Sequence, residues 1–217
     1  MERGESRIPP LLALATALLL QVLLPDDLVV LRPRYLLPGL EFAVLLPLVL
    51  GGGTRLTAGS RELRAVALTL LVLIALTDAV QLGGLVRVLL FGTGPAVGSP
   101  GRELIRGASQ VWLTNMVVFA VAYWQIDQGG PHERLRPGEV EADFRFTQQG
   151  DEPRPDGTVW LPAFVDYLFL SFTNQTAFSP TDTMPLTPRA KVLMMVQGIA
   201  SLVTVTVVAA RAVNVLT

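Results

Sequence analysis

The chain contains no cysteine, which excludes disulfides, thiolate metal sites and cysteine nucleophiles. It has one histidine, His132, in a polar stretch, and a lone loop histidine is ordinarily solvated rather than a ligand or general base. Charge is scarce: 16% of residues are charged, against roughly 25% in soluble domains. The formal net charge is -1, so no basic footprint points to nucleic acid. Soluble-type catalytic signatures are missing as well. There is no Gly-x-Ser-x-Gly elbow, no His-Glu-x-x-His and no phosphate loop. Gly51-Gly52-Gly53 and Gly92-Thr93-Gly94 have no strand before them and are loop glycines. With no nucleophile–base pair and no metal-ligand cluster, neither an enzyme nor a bound metal or cofactor is expected.

Apolar sequence is abundant. Hydrophobic residues make up 51% of the 217 positions, and they fall in long runs. A membrane helix needs about 20 mainly apolar residues to cross about 30 Å of hydrocarbon. Five candidate spans follow one another: Ile8–Leu24, Tyr35–Leu50, Leu63–Gly84 with an apolar extension to Phe91, Leu104–Ile126 and Ala190–Leu216. Short loops rich in Gly, Pro, Ser and Arg separate them. Ile8–Leu24 has the look of a signal peptide. However, Pro25-Asp26-Asp27 follows it instead of a small-residue cleavage site, so it reads as a retained helix. Tyr35, Trp112, Tyr123, Trp124 and Trp160 fit interfacial aromatic belts. Arginines balance between the two sets of loops. Arg134 and Arg136 tip the count slightly toward a cytoplasmic acidic loop.

Two segments break the pattern. Asp127–Gly157 gathers Glu133, Glu139, Glu141, Asp143, Asp151, Glu152 and Asp156 and belongs in water. Within and after it, Phe144-Arg145-Phe146 and Thr158-Val159-Trp160 alternate, which fits a small hairpin; an irregular loop fits as well. In Trp160–Asp182 the first half, Leu161–Phe172, is apolar enough to enter lipid. The run from Thr173 to Asp182 is polar, and unsatisfied polar groups in hydrocarbon cost several kcal/mol each. The segment therefore reads as a re-entrant helix ending at Phe172, followed by an extended polar leg. A sixth, polar-ended span is the alternative. The expected fold is all-α: five transmembrane helices plus one re-entrant helix. Residues 1–100 form a three-helix region and 101–217 a second module.

Polar residues at membrane depth are the candidate functional groups: Asp78 with Gln81, Thr114 and Asn115, Asp166, Arg211 and Asn214. A buried ionisable group usually faces a partner or a watery cavity. Asp78 is either a proton- or cation-handling carboxylate or half of an interhelical pair with Arg211 or Arg87. Its expected partners are Gln81, Asn115 or an arginine of another helix. Glu41 and Arg211 lie near enough to an interface to snorkel.

Phe164–Arg189 resembles the pore segment of two-transmembrane potassium channels. Ser171-Phe172 matches the end of the pore helix, Thr176 the first filter threonine, and Asp182, Pro185 and Thr187 the Asp-x-x-Pro-x-Thr spacing after the filter. The resemblance implies an outer helix at 104–126, a polar loop at 127–160, a re-entrant helix and filter-like leg at 161–183, and an inner helix at 190–216. It also implies a homotetramer around one axis. The filter-like residues are Thr176, Ala177, Phe178, Ser179, Pro180, Thr181 and Asp182. The family's Val-Gly-Tyr-Gly falls on Phe178, Ser179, Pro180 and Thr181, so both glycines are gone. Pro180 fixes its own φ and lacks an N–H, so a carbonyl-lined potassium filter is not expected. A weakly selective pore for monovalent cations is the implied activity. A non-conducting scaffold or assembly protein, and a proton-coupled carrier using Asp78 and Asp166, are the alternatives. The leading helices lack the repeated arginines of a voltage sensor. The whole chain is also similar to the DUF1345-type bacterial membrane proteins, through Ser171-Phe172-Thr173, Thr181-Asp182 and Ala212-Val213-Asn214. That group implies a multi-pass protein of the bacterial cytoplasmic membrane and carries no activity.

Overall fold

The structure, a computed structural model, describes residues 6, 8–50, 61–91, 98, 101–131, 133–135, 141–149, 160–176 and 183–216. His132, both glycine-rich loops, most of the acidic stretch after Gln149 and the filter-like residues Ala177–Asp182 lie outside the described residues. The chain is mostly helical. Its helices are α1 (Ile8–Val22), α2 (Leu36–Leu50), α3 (Arg61–Phe91), α4 (Gly101–Ile126), α5 (Phe164–Thr176) and α6 (Pro188–Leu216). Two short strands, β1 (Phe144–Phe146) and β2 (Thr183–Pro185), pair with each other.

Among the described residues, three helices are long and apolar enough to cross a membrane, over Arg64–Val88, Gly101–Gly129 and Pro188–Ala210. α1 and α2 have 15 residues each, which rise about 22 Å, less than the hydrocarbon thickness of about 30 Å. α4 lies at the centre, packed against α1, α3, α5 and α6.

Helix ends follow local chemistry. Arg34 closes α1 by donating to the carbonyls of Val22 (2.6 Å) and Leu24 (2.8 Å), and it pairs with Asp26. These bonds supply donors for carbonyls that a helix C-terminus leaves free. α5 starts at an acidic cap: Asp166 Oδ2 accepts the Ala163 N–H at 2.8 Å. α6 starts with Pro188 in its first turn and Thr187 Oγ1 accepting from the Ala190 N–H at 3.4 Å. Gly84 of α3 and Gly107 of α4 admit the linker after α1. A Cβ at either position would collide with Val30 or Leu28 respectively.

Of the expected hairpin, Thr158 and Val159 lie outside the described residues. Phe144-Arg145-Phe146 does form a strand, but its partner is Thr183–Pro185, with Arg145 opposite Met184. Trp160 instead stacks on Phe146, ring centroids 5.6 Å apart. Burial alternates along β1, with Phe144 and Phe146 inward and Arg145 outward. The inward rings meet Tyr123 of α4 and Tyr167 of α5.

Two fully buried aspartates hold this end together. Asp127 accepts from the Asp143 N–H (2.9 Å), the Phe144 N–H (3.2 Å) and the Tyr167 hydroxyl (2.5 Å). Asp143 receives both arms of the Arg189 guanidinium (2.5 and 2.6 Å) and the Thr187 hydroxyl (2.5 Å). A bidentate arginine–carboxylate pair is among the stronger polar contacts. The segment after α4 is thus pinned to α5 by Asp127 and to the start of α6 by Asp143.

Replacing Asp127 with alanine leaves three buried donors without an acceptor. Each such loss costs about 1–3 kcal/mol, so Asp127→Ala is expected to destabilise the protein by at least about 2 kcal/mol. Glu141→Ala, at an exposed position, stays within about 0.5 kcal/mol. Thermal unfolding in detergent of both variants measures the contrast.

Candidate functional site

α5 was expected to stop at Phe172, where the sequence turns polar. It continues through Thr173, Asn174, Gln175 and Thr176. The reason is that each of these side chains finds a partner inside the bundle or on its own helix. Thr173 and Thr176 hydroxyls donate back to carbonyls of the preceding turn. Asn174 Nδ2 donates to Gln197 Oε1 at 2.8 Å and to the Met194 carbonyl at 3.0 Å. Gln175 Nε2 donates to the Trp112 carbonyl at 2.8 Å, and its Oε1 accepts from Asn115 Nδ2 at 2.9 Å.

Gln197 of α6 is the hub. Its Oε1 also accepts from the Tyr123 hydroxyl at 2.6 Å. Its Nε2 donates to the carbonyl and the hydroxyl oxygen of Ser171 at 3.0 and 2.6 Å. The Ser171 hydroxyl donates in turn to the Met116 carbonyl at 2.6 Å. One turn further along α6, the Ser201 hydroxyl donates to the Gln175 carbonyl at 2.7 Å and accepts from the Trp112 indole N–H at 3.0 Å. The network therefore joins α4, α5 and α6, and both amide atoms of Gln175 and of Gln197 are used. Such a network is stable at low dielectric because no member is left unpaired.

The geometry along the bundle follows from these bonds. α5 starts beside the end of α4, where Phe164 packs edge-on to Trp124 at 6.1 Å. It ends beside Trp112 and Ser201. Its thirteen residues rise about 20 Å. By Thr183 the chain is again opposite Phe146, at the level of Tyr167. Beyond the end of α5, α4 and α6 flank an apolar groove of about 360 Å³ lined by Ala108, Ser109, Trp112, Leu113, Thr204, Val205 and Val208.

The structure separates the candidate residues. Asn115 pairs with Gln175, not with Asp78. Asp166 caps α5 and is partly exposed, so it does not meet Asp78, which is buried in α3. Asp78 Oδ1 has no hydrogen-bond partner among the described residues. Gln81 lines a small crevice with Gln21, Thr77 and Arg34. Of Arg211 and Asn214 only the backbone, within α6, is described. Glu41 departs from expectation. It does not snorkel but is fully buried between α2 and α3, where Oε1 accepts from the Thr77 hydroxyl at 2.9 Å.

Sequence reasoning missed Gln197, Ser201 and Tyr123. Their signal was present as a polar stripe on an apolar helix, since Gln197, Ser201 and Thr204 recur at helical spacing and all face inward.

No family model matches this chain, and no curated protein or solved structure matches it.

A double-mutant cycle on Asn115→Ala and Gln175→Ala tests the network. Side-chain hydrogen bonds inside membrane proteins contribute about 0.6 kcal/mol on average and up to about 1.7. The coupling energy is expected between those values in a detergent unfolding assay. A coupling near zero would mean that the two amides do not act as a pair.

Proposed function

We propose that the chain is a multi-pass protein of the bacterial cytoplasmic membrane with five spans and α5 as a re-entrant half-helix. Residues 101–217 would form a channel-like module, and four copies would surround a weakly selective pore for monovalent cations. The observation that carries this reading is the path of α5. The helix leaves the Asp127 end, stops near Trp112 and Ser201, and the chain is back at the Asp127 end seven residues after Thr176. A half-helix of this kind ends with its carbonyls at membrane depth. The partial negative charge of a helix C-terminus favours cations there, as in other discontinuous membrane helices. The expected lining, Ala177–Asp182, offers the hydroxyls of Ser179 and Thr181 and the Asp182 carboxylate. Pro180 and the lack of glycine argue against a carbonyl ring, so a passing ion keeps part of its hydration shell. The similarity to DUF1345-type proteins supports the membrane assignment and supplies no activity.

A second reading has its own support. Every polar side chain of the last turn of α5 is bonded within one copy of the chain. That is what a non-conducting scaffold needs, since the half-helix is then packing. The carrier reading needs Asp78 and Asp166 on one cavity, and Asp166 instead accepts from the Ala163 N–H at the start of α5.

Two experiments divide these readings. The cysteine-free chain allows single cysteines at Ala163 and Met184, both exposed. Impermeant thiol reagents are expected to label both from the same side of the membrane; labelling from opposite sides makes α5 part of a sixth span. Reconstitution in planar bilayers with sodium and potassium on opposite sides is expected to give a reversal potential near zero. A value near the potassium equilibrium potential would refute the reading of the missing glycines. Silence across voltage, pH and lipid composition would favour the scaffold.

A further inference from the structure

α5 covers only part of the helices it packs against, and the part it leaves open carries two exposed arginines. α5 meets α4 from Trp124, beside Phe164, to Trp112, whose carbonyl takes the Gln175 amide. The stretch of α4 before Trp112, back to Gly101, lies beyond it. α6 runs antiparallel to α4, since Ser201 bonds Trp112 while Gln197 bonds Tyr123. The part of α6 after Ser201 therefore flanks the same stretch. The groove of about 360 Å³ between them lies where α5 stops short.

The groove presents hydrocarbon and no free polar proton. Ser109 Oγ donates to the Ile105 carbonyl at 2.9 Å, Thr204 Oγ1 to the Ala200 carbonyl at 2.8 Å, and the Trp112 indole N–H to Ser201 Oγ at 3.0 Å. Each of these groups is spent on the protein itself, so the wall suits an apolar occupant. The volume falls within the roughly 300–1,000 Å³ of ordinary ligand pockets.

Exposure along this part of α4 is one-sided. Arg102, Arg106, Ser109 and Leu113 are exposed, while Leu104, Ala108 and Val111 are buried. The helical spacing of the exposed four places them on one face. Arg106 and Arg102 thus continue the groove wall toward the start of α4, one and two turns beyond Ser109. The Arg102 side chain is 88% exposed, with Glu103 at 3.9 Å as its acid. Among the described residues Arg106 has no ion pair. Arginine facing hydrocarbon is costly and stands instead at headgroup level. α4 has 26 residues and rises about 39 Å, more than the hydrocarbon thickness of about 30 Å, so its first turns can reach that level.

We propose that the groove and its two arginines hold one anionic phospholipid. An acyl chain lies along Trp112, Leu113 and Val205, and the headgroup phosphate pairs with Arg102 and Arg106. A guanidinium matches phosphate with two parallel hydrogen bonds. Apolar groove and exposed charge follow each other along α4 in the order in which a lipid presents chain and headgroup. A second copy docking on this face would bring the same two arginines and not an acid. The site rests on α4 and α6 crossing the membrane and does not depend on the pore reading of α5.

The test uses the full-length protein, delipidated in detergent, and its melting temperature. A ligand of the folded state raises that temperature in a saturable way. Phosphatidylglycerol is expected to do so, and phosphatidylcholine with the same chains to need at least about tenfold more, since each arginine near a membrane surface contributes about 1 kcal/mol toward an anionic headgroup. Glycerol 3-phosphate, a headgroup without chains, is expected to have no effect. Arg102→Gln with Arg106→Gln, both exposed, is expected to bring the phosphatidylglycerol midpoint to that of phosphatidylcholine. Lys191→Gln, an exposed charge at the other end of α6, is expected to leave it unchanged. Ser109→Phe, which fills the groove, is expected to abolish the response to both lipids; if it does not fold, the arginine pair carries the test alone. Equal midpoints for the two lipids, a response to glycerol 3-phosphate, or an unchanged midpoint in the arginine double variant would overturn the proposal. So would a loss in Lys191→Gln equal to that in the arginine pair. A Ser109→Phe protein that keeps its lipid response but loses oligomeric mass would make the groove a contact between copies and overturn it as well.

Discussion

The structure depends on one constraint: a polar group placed at membrane depth must find its partner inside the protein. Hydrocarbon offers no hydrogen bonds, so helices that satisfy their own backbone are the default there. A helix end, which leaves four carbonyls free, is the difficult case. α5 ends between α4 and α6, inside the bundle, and the side chains of both neighbours answer that end. Ser201 bonds the Gln175 carbonyl, while Gln175 and Asn174 reach across to α4 and α6. The result is a short helix held by side chains from both neighbours, without a charged residue in the network.

The same logic operates at the Asp127 end with charges instead of amides. Asp127 and Asp143 are buried, yet they stand near the ends of α4 and α6, where an arginine can reach in from a partly exposed position. The Arg189 side chain is 58% exposed while Asp143 is fully buried. The guanidinium keeps part of its hydration, so the pair avoids the full desolvation cost of a buried ion pair. Because Asp143 also sits next to β1, this contact sets where α6 begins relative to the strand pair and hence relative to α5. The position of Gln197, two turns along α6, is inherited from it.

Much of the fold was legible because hydrophobic run length is a strong signal. The starts and ends of α2, α3, α4 and α6 fall within a few residues of their expected places. The polar end of α5 was not legible as helix. Thr173 to Thr176 reads as a helix-ending run until its partners are known, and those of Asn174 and Gln175 lie 20 to 63 residues away in sequence. The pairing of β1 with β2 was hidden for a similar reason. Phe144–Phe146 alternates like a strand, but nothing local says that its partner lies beyond α5. Glu41 was misjudged because distance from a helix end was used as a measure of exposure. Its burial is set by α3, whose Thr77 faces it, and a single helix does not reveal its neighbour.

Counting donors distinguishes the polar contacts between α4, α5 and α6 from those on α1 to α4. In the α4–α5–α6 layer, the amides and hydroxyls of Asn174, Gln175, Gln197, Ser171 and Ser201 close on one another and on helix carbonyls. Both amide atoms of Gln175 and of Gln197 are used, so these residues fix geometry. On α1 to α4, Gln21, Glu41, Asp78 and Gln110 each keep one buried oxygen without a donor among the described residues. Burial and polarity are alike in both places. The balance of donors to acceptors is what differs: it is closed between α4, α5 and α6, and it stays open on α1 to α4 among the described residues.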